Sequence, residues 1–354
     1  MRRISLIDLI RFFAAIMVVY VHTASFRFIK DPANCEYFHF HSSFIFVELF
    51  LLISGYFTAN HFSKTLNNDD TLEKKSKISL KYTWCKFKVL IPYCLFSIFL
   101  TATINVIWEP GNLKGILLST IPETLLIAPQ NLLVVPLWYL VMLLLFFPVF
   151  SIICQSKNKT FISIITAIVF VFFYSNFTHI YNSGMFGDYA RIIMGLMSGR
   201  LLYYLVIVIK KINFSLFGRI LINIITFFAL IILVKLLWAP EIISIIRYPE
   251  MTVAMIMFIV LLALILSGQT ILSKIQFSFF VLLGKLSLPI YIMHWPVIQL
   301  IIRLWPNKDL NTQIVILYIT TIAISVSTYA IIELLKIRGP SLQKIFIKNS
   351  EDVS

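Results

Sequence analysis

Residues 132–153 read Leu-Leu-Val-Val-Pro-Leu-Trp-Tyr-Leu-Val-Met-Leu-Leu-Leu-Phe-Phe-Pro-Val-Phe-Ser-Ile-Ile, without one charged side chain. A helix needs about 20 predominantly apolar residues to cross the ~30 Å hydrocarbon core of a bilayer. This stretch is long enough. Working outward with the same window gives ten such spans, near 8–28, 40–59, 86–107, 132–153, 160–178, 189–209, 217–238, 250–267, 279–302 and 312–335. The composition agrees. Of 354 residues, 59% are hydrophobic and 13% charged, whereas soluble domains carry about 25% charged residues. Too few solvating groups remain to cover a water-soluble surface. A soluble enzyme, a disordered chain, a collagen and a coiled coil are excluded. The expected fold is all-α: a polytopic membrane protein of about ten transmembrane helices, forming one integral-membrane domain over 1–354.

The net charge of +14 does not point to nucleic acid, because membrane proteins concentrate Lys and Arg in their cytoplasmic segments. With the N-terminus inside, the inner segments hold 20 of the 30 Lys and Arg, the outer ones 7, and Arg11, Arg191 and Arg200 lie within spans. That bias, with an even number of spans, places both termini in the cytoplasm. The expected location is the cell (inner or plasma) membrane, in contact with membrane lipid. Trp108, Trp238 and Trp305 then fall at outer ends, as an aromatic belt requires. The polar segment 60–85 reads as an inner connection and 108–131 as an outer one. An impermeant thiol reagent should therefore label a single cysteine introduced within 108–131 in intact cells and spare one at position 70. Labelling at position 70 would overturn the orientation. The start Met1-Arg2-Arg3 runs into an apolar stretch with no small-residue cleavage site, so it reads as the first span. Cys35, Cys85, Cys94 and Cys154 show no metal-ligand spacing, and no metal is expected.

A charge at the bilayer centre costs from about 3 to above 10 kcal/mol, so ionisable residues there are functional candidates. Here they are Asp8, Arg11, His22, Glu48, Arg191, Arg200 and His294. Arg11 and His22 are eleven residues apart, about three turns, which puts both on one helix face roughly 16 Å apart along the axis. Asp8 is one turn before Arg11 and can pair with it. Glu48, His22 and His294 fall at similar depths on three spans and can form an acid/base cluster. Glu48 can equally be the charge partner of an arginine such as Arg191. His22 and His294 can equally be helix-packing hydrogen bonders. Arg191 can cap the outer interface; Arg200 lies deeper. Lys86 and Lys88 open the third span, either as ordinary positive-inside anchors or as a phosphate clamp.

Several stretches carry a resemblance. Asp8-Leu9-Ile10-Arg11, followed by Phe12 to Val19 and then His22, resembles the opening of the membrane acyltransferase-3 family, which has Arg or Lys, ten residues, then His. Val47-Glu48-Leu49-Phe50-Leu51-Leu52-Ile53-Ser54-Gly55-Tyr56-Phe57 resembles its second span, and Lys88-Val89-Leu90-Ile91-Pro92-Tyr93 the start of its third. Pro136-Leu137-Trp138-Tyr139-Leu140 resembles its Leu-Trp-aromatic-Leu motif. The run from Gly284 to Pro296, with Tyr291 and His294, resembles its ninth span. Leu143 stands where some branches carry Glu, and no esterase-like extension is seen, as in the compact branch.

The resemblance implies transfer of an acyl group, usually acetyl, from cytoplasmic acetyl-CoA or another acyl-CoA to a hydroxyl of an extracytoplasmic or lipid-linked surface sugar. It implies His22 as general base or transient acyl carrier, with Glu48 or His294 orienting it. Arg11, Lys86 and Lys88 would hold the donor's phosphates. Trp138 would stack on the sugar or the thioester arm, and Arg191 and Arg200 join the donor-binding set. The competing class is a secondary transporter or flippase of a lipid-linked sugar, for which no repeats or paired Gly/Pro-broken helices are seen. A non-catalytic membrane subunit would need no aligned Arg11–His22 face.

Overall fold

The computed structural model describes residues 4–23, 45–65, 71–112, 114–115, 134–156, 159–175, 185–238 and 249–351. Within them the chain forms ten α-helices and, among the described residues, no strand. They are α1 (Ser5–Thr23), α2 (Ile45–Thr65), α3 (Leu72–Trp108), α4 (Leu137–Cys154), α5 (Lys159–Ser175), α6 (Met185–Lys211), α7 (Leu216–Trp238), α8 (Pro249–Ser267), α9 (Ser278–Leu304) and α10 (Leu310–Glu351). Eight are long and apolar enough to cross a membrane; α5 and α8 contain shorter apolar runs, Ser163–Phe172 and Thr252–Ser267. Large apolar side chains such as Leu95, Phe99, Phe217, Phe227 and Phe228 are exposed on the outside of the bundle. That is what a lipid solvent permits and water would not. Cys35 and most of 108–131 lie outside the described residues.

Two helices outrun the expected spans. Residues 72–85, expected as part of a polar connection, continue α3 without a break. Lys and Glu are good helix formers, and nothing in this stretch interrupts the backbone. The Thr71 side chain caps the start by accepting from the Lys74 amide at 3.4 Å, and Lys77 pairs with Glu73 at 2.7 Å one turn on. The 37 residues of α3 span about 55 Å, far beyond the ~30 Å core. Its basic first half therefore projects past the hydrocarbon. The 42-residue α10 does the same at its C-terminal end. Asp309 caps α10 by accepting from the Thr312 amide at 2.9 Å, and that bond holds its carboxyl below the usual carboxylate range.

Helix α2 sits centrally, against α6, α1, α4 and α8; α9 packs on α1, α10 and α3. Glycines let α2 and α6 approach closely. A Cβ on Gly199 would strike the Leu52 carbonyl and the Tyr56 amide, and one on Gly55 would strike the Leu196 carbonyl. In α9 two prolines interrupt the backbone ladder. Pro296 has no N–H for the Ile292 carbonyl one turn earlier. The Ser97 hydroxyl of α3 donates to that carbonyl instead, at 3.3 Å. Non-polar surroundings demand such a replacement. At the Ser5 end of α1, the Ser5 hydroxyl donates to the Ile275 carbonyl and accepts from the Phe277 amide. This ties α1 to the segment that leads into α9.

Candidate active site

Two histidines meet where α1 and α9 pack together. His294 Nε2 lies 3.1 Å from His22 Nδ1. His22 Nδ1 is also 3.0 Å from the Val18 carbonyl, and His294 Nδ1 is 3.3 Å from the Ile290 carbonyl. Carbonyls only accept, so in the neutral rings both Nδ1 atoms carry the proton. His294 Nε2 is then an acceptor for His22 Nδ1–H, and His22 Nε2 keeps its lone pair. The rings are inclined at 29° with centroids 4.9 Å apart, and Trp295 sets its ring edge-on to His22 at 5.8 Å. His294 is fully buried and His22 half-buried. The arrangement can hold one imidazole in a fixed tautomer with its second nitrogen available to take a proton.

Beside this pair stands Tyr291, one turn earlier on α9. Its ring lies 6.2 Å from that of His294, 5.6 Å from Tyr139 and 5.8 Å from Phe50. Its hydroxyl donates to the Pro136 carbonyl at 3.1 Å, which ties the start of α4 to α9. Tyr139 and Tyr291 belong to the sequence stretches quoted above, but no charge or spacing there singles them out. Both look like ordinary aromatic packing until α4 and α9 are brought together.

Tyr139 and Tyr291 also border a cavity of about 320 Å³, within the usual size range of small-molecule sites. Arg11 of α1 and Lys86 of α3 line it too, with apolar walls from Phe50, Phe57, Leu143 and Phe147 among others. Where some branches of the resembling family place a Glu, Leu143 thus contributes an apolar wall. Arg11 is held by Asp8, with Nη1 to Oδ1 at 3.9 Å. Asp8 fits against Gly284, where a Cβ would collide with it. Lys86 also stands over the Tyr82 ring at 5.3 Å. Lys88 does not border the cavity: two residues on, it is turned about 200° around the helix and lies exposed over Trp84 at 5.4 Å.

Glu48 is fully buried on α2, and its Oε1 accepts from Arg191 Nε at 2.6 Å. Arg191 Nη1 also donates to Asp188 Oδ1 at 3.4 Å, and its guanidinium lies 5.2 Å from the Trp138 ring centre. Of the two readings that the sequence leaves open for Glu48, this geometry is that of an arginine partner. Trp138 stands in the same group. Arg200 is elsewhere: Nη1 donates to the Ile153 carbonyl at 2.8 Å and Nη2 to the Tyr204 hydroxyl at 2.9 Å. It thus caps the C-terminal end of α4, as a cation at a helix C-terminus does. Among the described residues no group of three or more His, Cys, Asp or Glu could hold a metal ion.

A family model described as an acyltransferase domain matches residues 4–330. No curated protein matches the chain, and no solved structure does.

Proposed function

The chain belongs to the membrane acyltransferase-3 family, and from that premise we propose that it moves an acetyl group from acetyl-CoA to a sugar hydroxyl. The donor binds at the end of the bundle that carries Ser5, which faces the cytoplasm. The acceptor is a surface polysaccharide or lipid-linked sugar on the far side of the cell membrane, and residues 1–354 act as one unit. The observation that carries this reading is the His22–His294 contact at 3.1 Å, one tyrosine ring beyond a cavity that has Arg11 and Lys86 in its wall. Cations and a hydrophobic passage at one end, and a proton acceptor past the other, are what a polyanionic thioester needs. Its phosphates stay in contact with charge while its acyl end is carried inward.

Arg11 and Lys86 hold phosphate, Arg11 with the greater effect because a guanidinium can bind bidentately. Lys88 adds charge at longer range. Trp138, with Glu48 and Arg191 behind it, offers a ring to the sugar. His294 orients His22. In the chemical step His22 Nε2 takes the proton of the acceptor hydroxyl while its oxygen bonds to the thioester carbonyl carbon. The C–S bond then breaks, and His22 returns the proton to the leaving thiolate.

The test is release of CoA by protein purified in detergent, which a flippase or transporter does not perform. With acetyl-CoA and a glycan acceptor, Arg11→Ala should raise the KM for the donor about tenfold, in line with one lost charge-assisted hydrogen bond. Lys88→Ala should raise it less. If Arg11→Ala leaves both KM and kcat unchanged, the donor site is elsewhere. If the wild type releases no CoA with any sugar acceptor, the proposed activity is wrong.

A further inference from the structure

A second cavity, of about 530 Å³, lies at the end of the bundle that carries Ser5. Its wall joins the last turn of α6, the end of α8 and the segment that leads into α9. Lys210, Leu266, Lys274 and Gln276 contribute to it, with Ile4 just ahead of α1. None of them borders the cavity that holds Arg11 and Lys86. The positive-inside bias accounts for lysines at this end. It does not account for two of them around one concavity with a side-chain amide.

The backbone builds this cavity and fastens it at several points. Gly268, at φ 82°, turns the chain out of α8, a conformation that glycine adopts at no steric cost. Three residues on, the Ile271 amide donates to Asn223 Oδ1 of α7 at 2.8 Å. A 3-10 turn, Ile271–Lys274, follows, and the Ser273 hydroxyl donates back to the Thr270 carbonyl. Ser5 then bonds to Ile275 and Phe277. The turn that carries Lys274 is thus tied to α7 on one side and to α1 on the other. A ligand there orders little, so it loses little affinity to conformational entropy.

We propose that this cavity binds the phosphate of an anionic phospholipid from the adjoining leaflet, with Lys274 and Lys210 as its cations and the Gln276 amide as a neutral donor. Both lysines are exposed, and no carboxylate is among the described residues of the wall. Helices α6 and α8 end here, each with about half a negative charge on its last carbonyls. Two full lysine charges outweigh them. Lys210 makes a further contact within the protein, and an ammonium has three N–H donors to share between such a contact and a phosphate. Apolar surroundings favour a lipid over a free phosphate ion. Ile271 and Phe277, on either side of Lys274, are exposed, as is Leu216 just past the end of α6. Acyl chains cover such side chains while the headgroup stays with the cations. Basic pockets between membrane helices bind anionic headgroups in this way.

Native mass spectrometry of the full chain in neutral detergent, titrated with phosphatidylglycerol or phosphatidylcholine, tests this. The wild type should bind one phosphatidylglycerol about tenfold more tightly than phosphatidylcholine, whose choline cancels the phosphate charge. Lys274→Ala should weaken phosphatidylglycerol binding about fivefold, the scale of one lysine at an anionic surface. Lys274→Arg, which keeps the charge, should bind as the wild type does. Lys81→Ala, which removes an exposed lysine from the projecting half of α3, should change nothing. Equal affinity for the two lipids would overturn the proposal. So would a loss with Lys81→Ala as large as with Lys274→Ala, since then only overall charge matters. Displacement of the lipid by inorganic phosphate would make this a site for the free ion and overturn the lipid reading. None of these outcomes bears on acyl transfer, which CoA release tests separately.

Discussion

His22→Ala should lower acyl transfer by about 10²–10⁴-fold, the usual worth of a positioned general base, in a protein that still folds and still binds acyl-CoA. The donor's phosphates are assigned to Arg11 and Lys86, which border the cavity, whereas His22 does not. Donor affinity and turnover should therefore separate, and binding of acyl-CoA to the purified variant measures the first while CoA release measures the second. His294→Ala should cost less than His22→Ala. It removes one acceptor of His22 Nδ1–H and leaves the other, the Val18 carbonyl at 3.0 Å, to hold the same tautomer. If His22 is a base, no acyl-enzyme forms without sugar. If it is a carrier, incubation with labelled acyl-CoA alone leaves an acyl-imidazole on it. A His22→Ala enzyme that keeps more than about a tenth of wild-type turnover would be incompatible with both roles.

Breaking the Glu48–Arg191 pair from one side should unfold the protein well before the wild type. Both side chains are almost wholly enclosed, at 1% and 9% exposure. Removing one member of a buried pair leaves an uncompensated charge, which costs about 3–5 kcal/mol in protein interiors. Glu48→Leu should therefore lower the melting temperature in detergent sharply. Arg191 would keep Asp188 and Trp138 as partners, so the loss falls at the low end of that range. The double variant Glu48→Leu with Arg191→Leu should recover much of the stability, because no lone charge remains. A Glu48→Leu protein as stable as the wild type, or a double variant worse than the two singles combined, would show that the pair is not what holds α2 to α6 at this level.

The separation of the two histidines shows where sequence reading stops. Arg11 and His22 share a helix, so periodicity alone sets their spacing and relative azimuth. His22 and His294 are 272 residues apart, and periodicity places each only on its own axis. Equal depth made their meeting conceivable. The rotation of α1 against α9 decided it, with Gly284 of α9 admitting Asp8 of α1. Glu48 illustrates the same limit. At a depth similar to both histidines, it could face either them or an arginine, and the close α2–α6 approach through Gly55 and Gly199 brings it to Arg191.

Arg200 was not legible for a related reason. Arg200 has no charged neighbour in the sequence that explains it; besides the Tyr204 hydroxyl one turn on, its partner is a main-chain carbonyl at the end of another helix. Every main chain has such carbonyls, and no residue type marks them. Lys86 and Lys88 are a milder case. Their 200° divergence around α3 follows from helix geometry, but which of them meets the cavity depends on how α3 is rotated. By itself, the sequence determined the all-helical class, the position of the apolar spans and the spacing of groups within each helix. Bilayer thickness and helical pitch act locally along the chain, so composition and periodicity record them. Only the tertiary structure decided which groups touch across helices, because the rotation of each helix comes from packing at glycines, prolines and buried hydrogen bonds contributed by other parts of the chain.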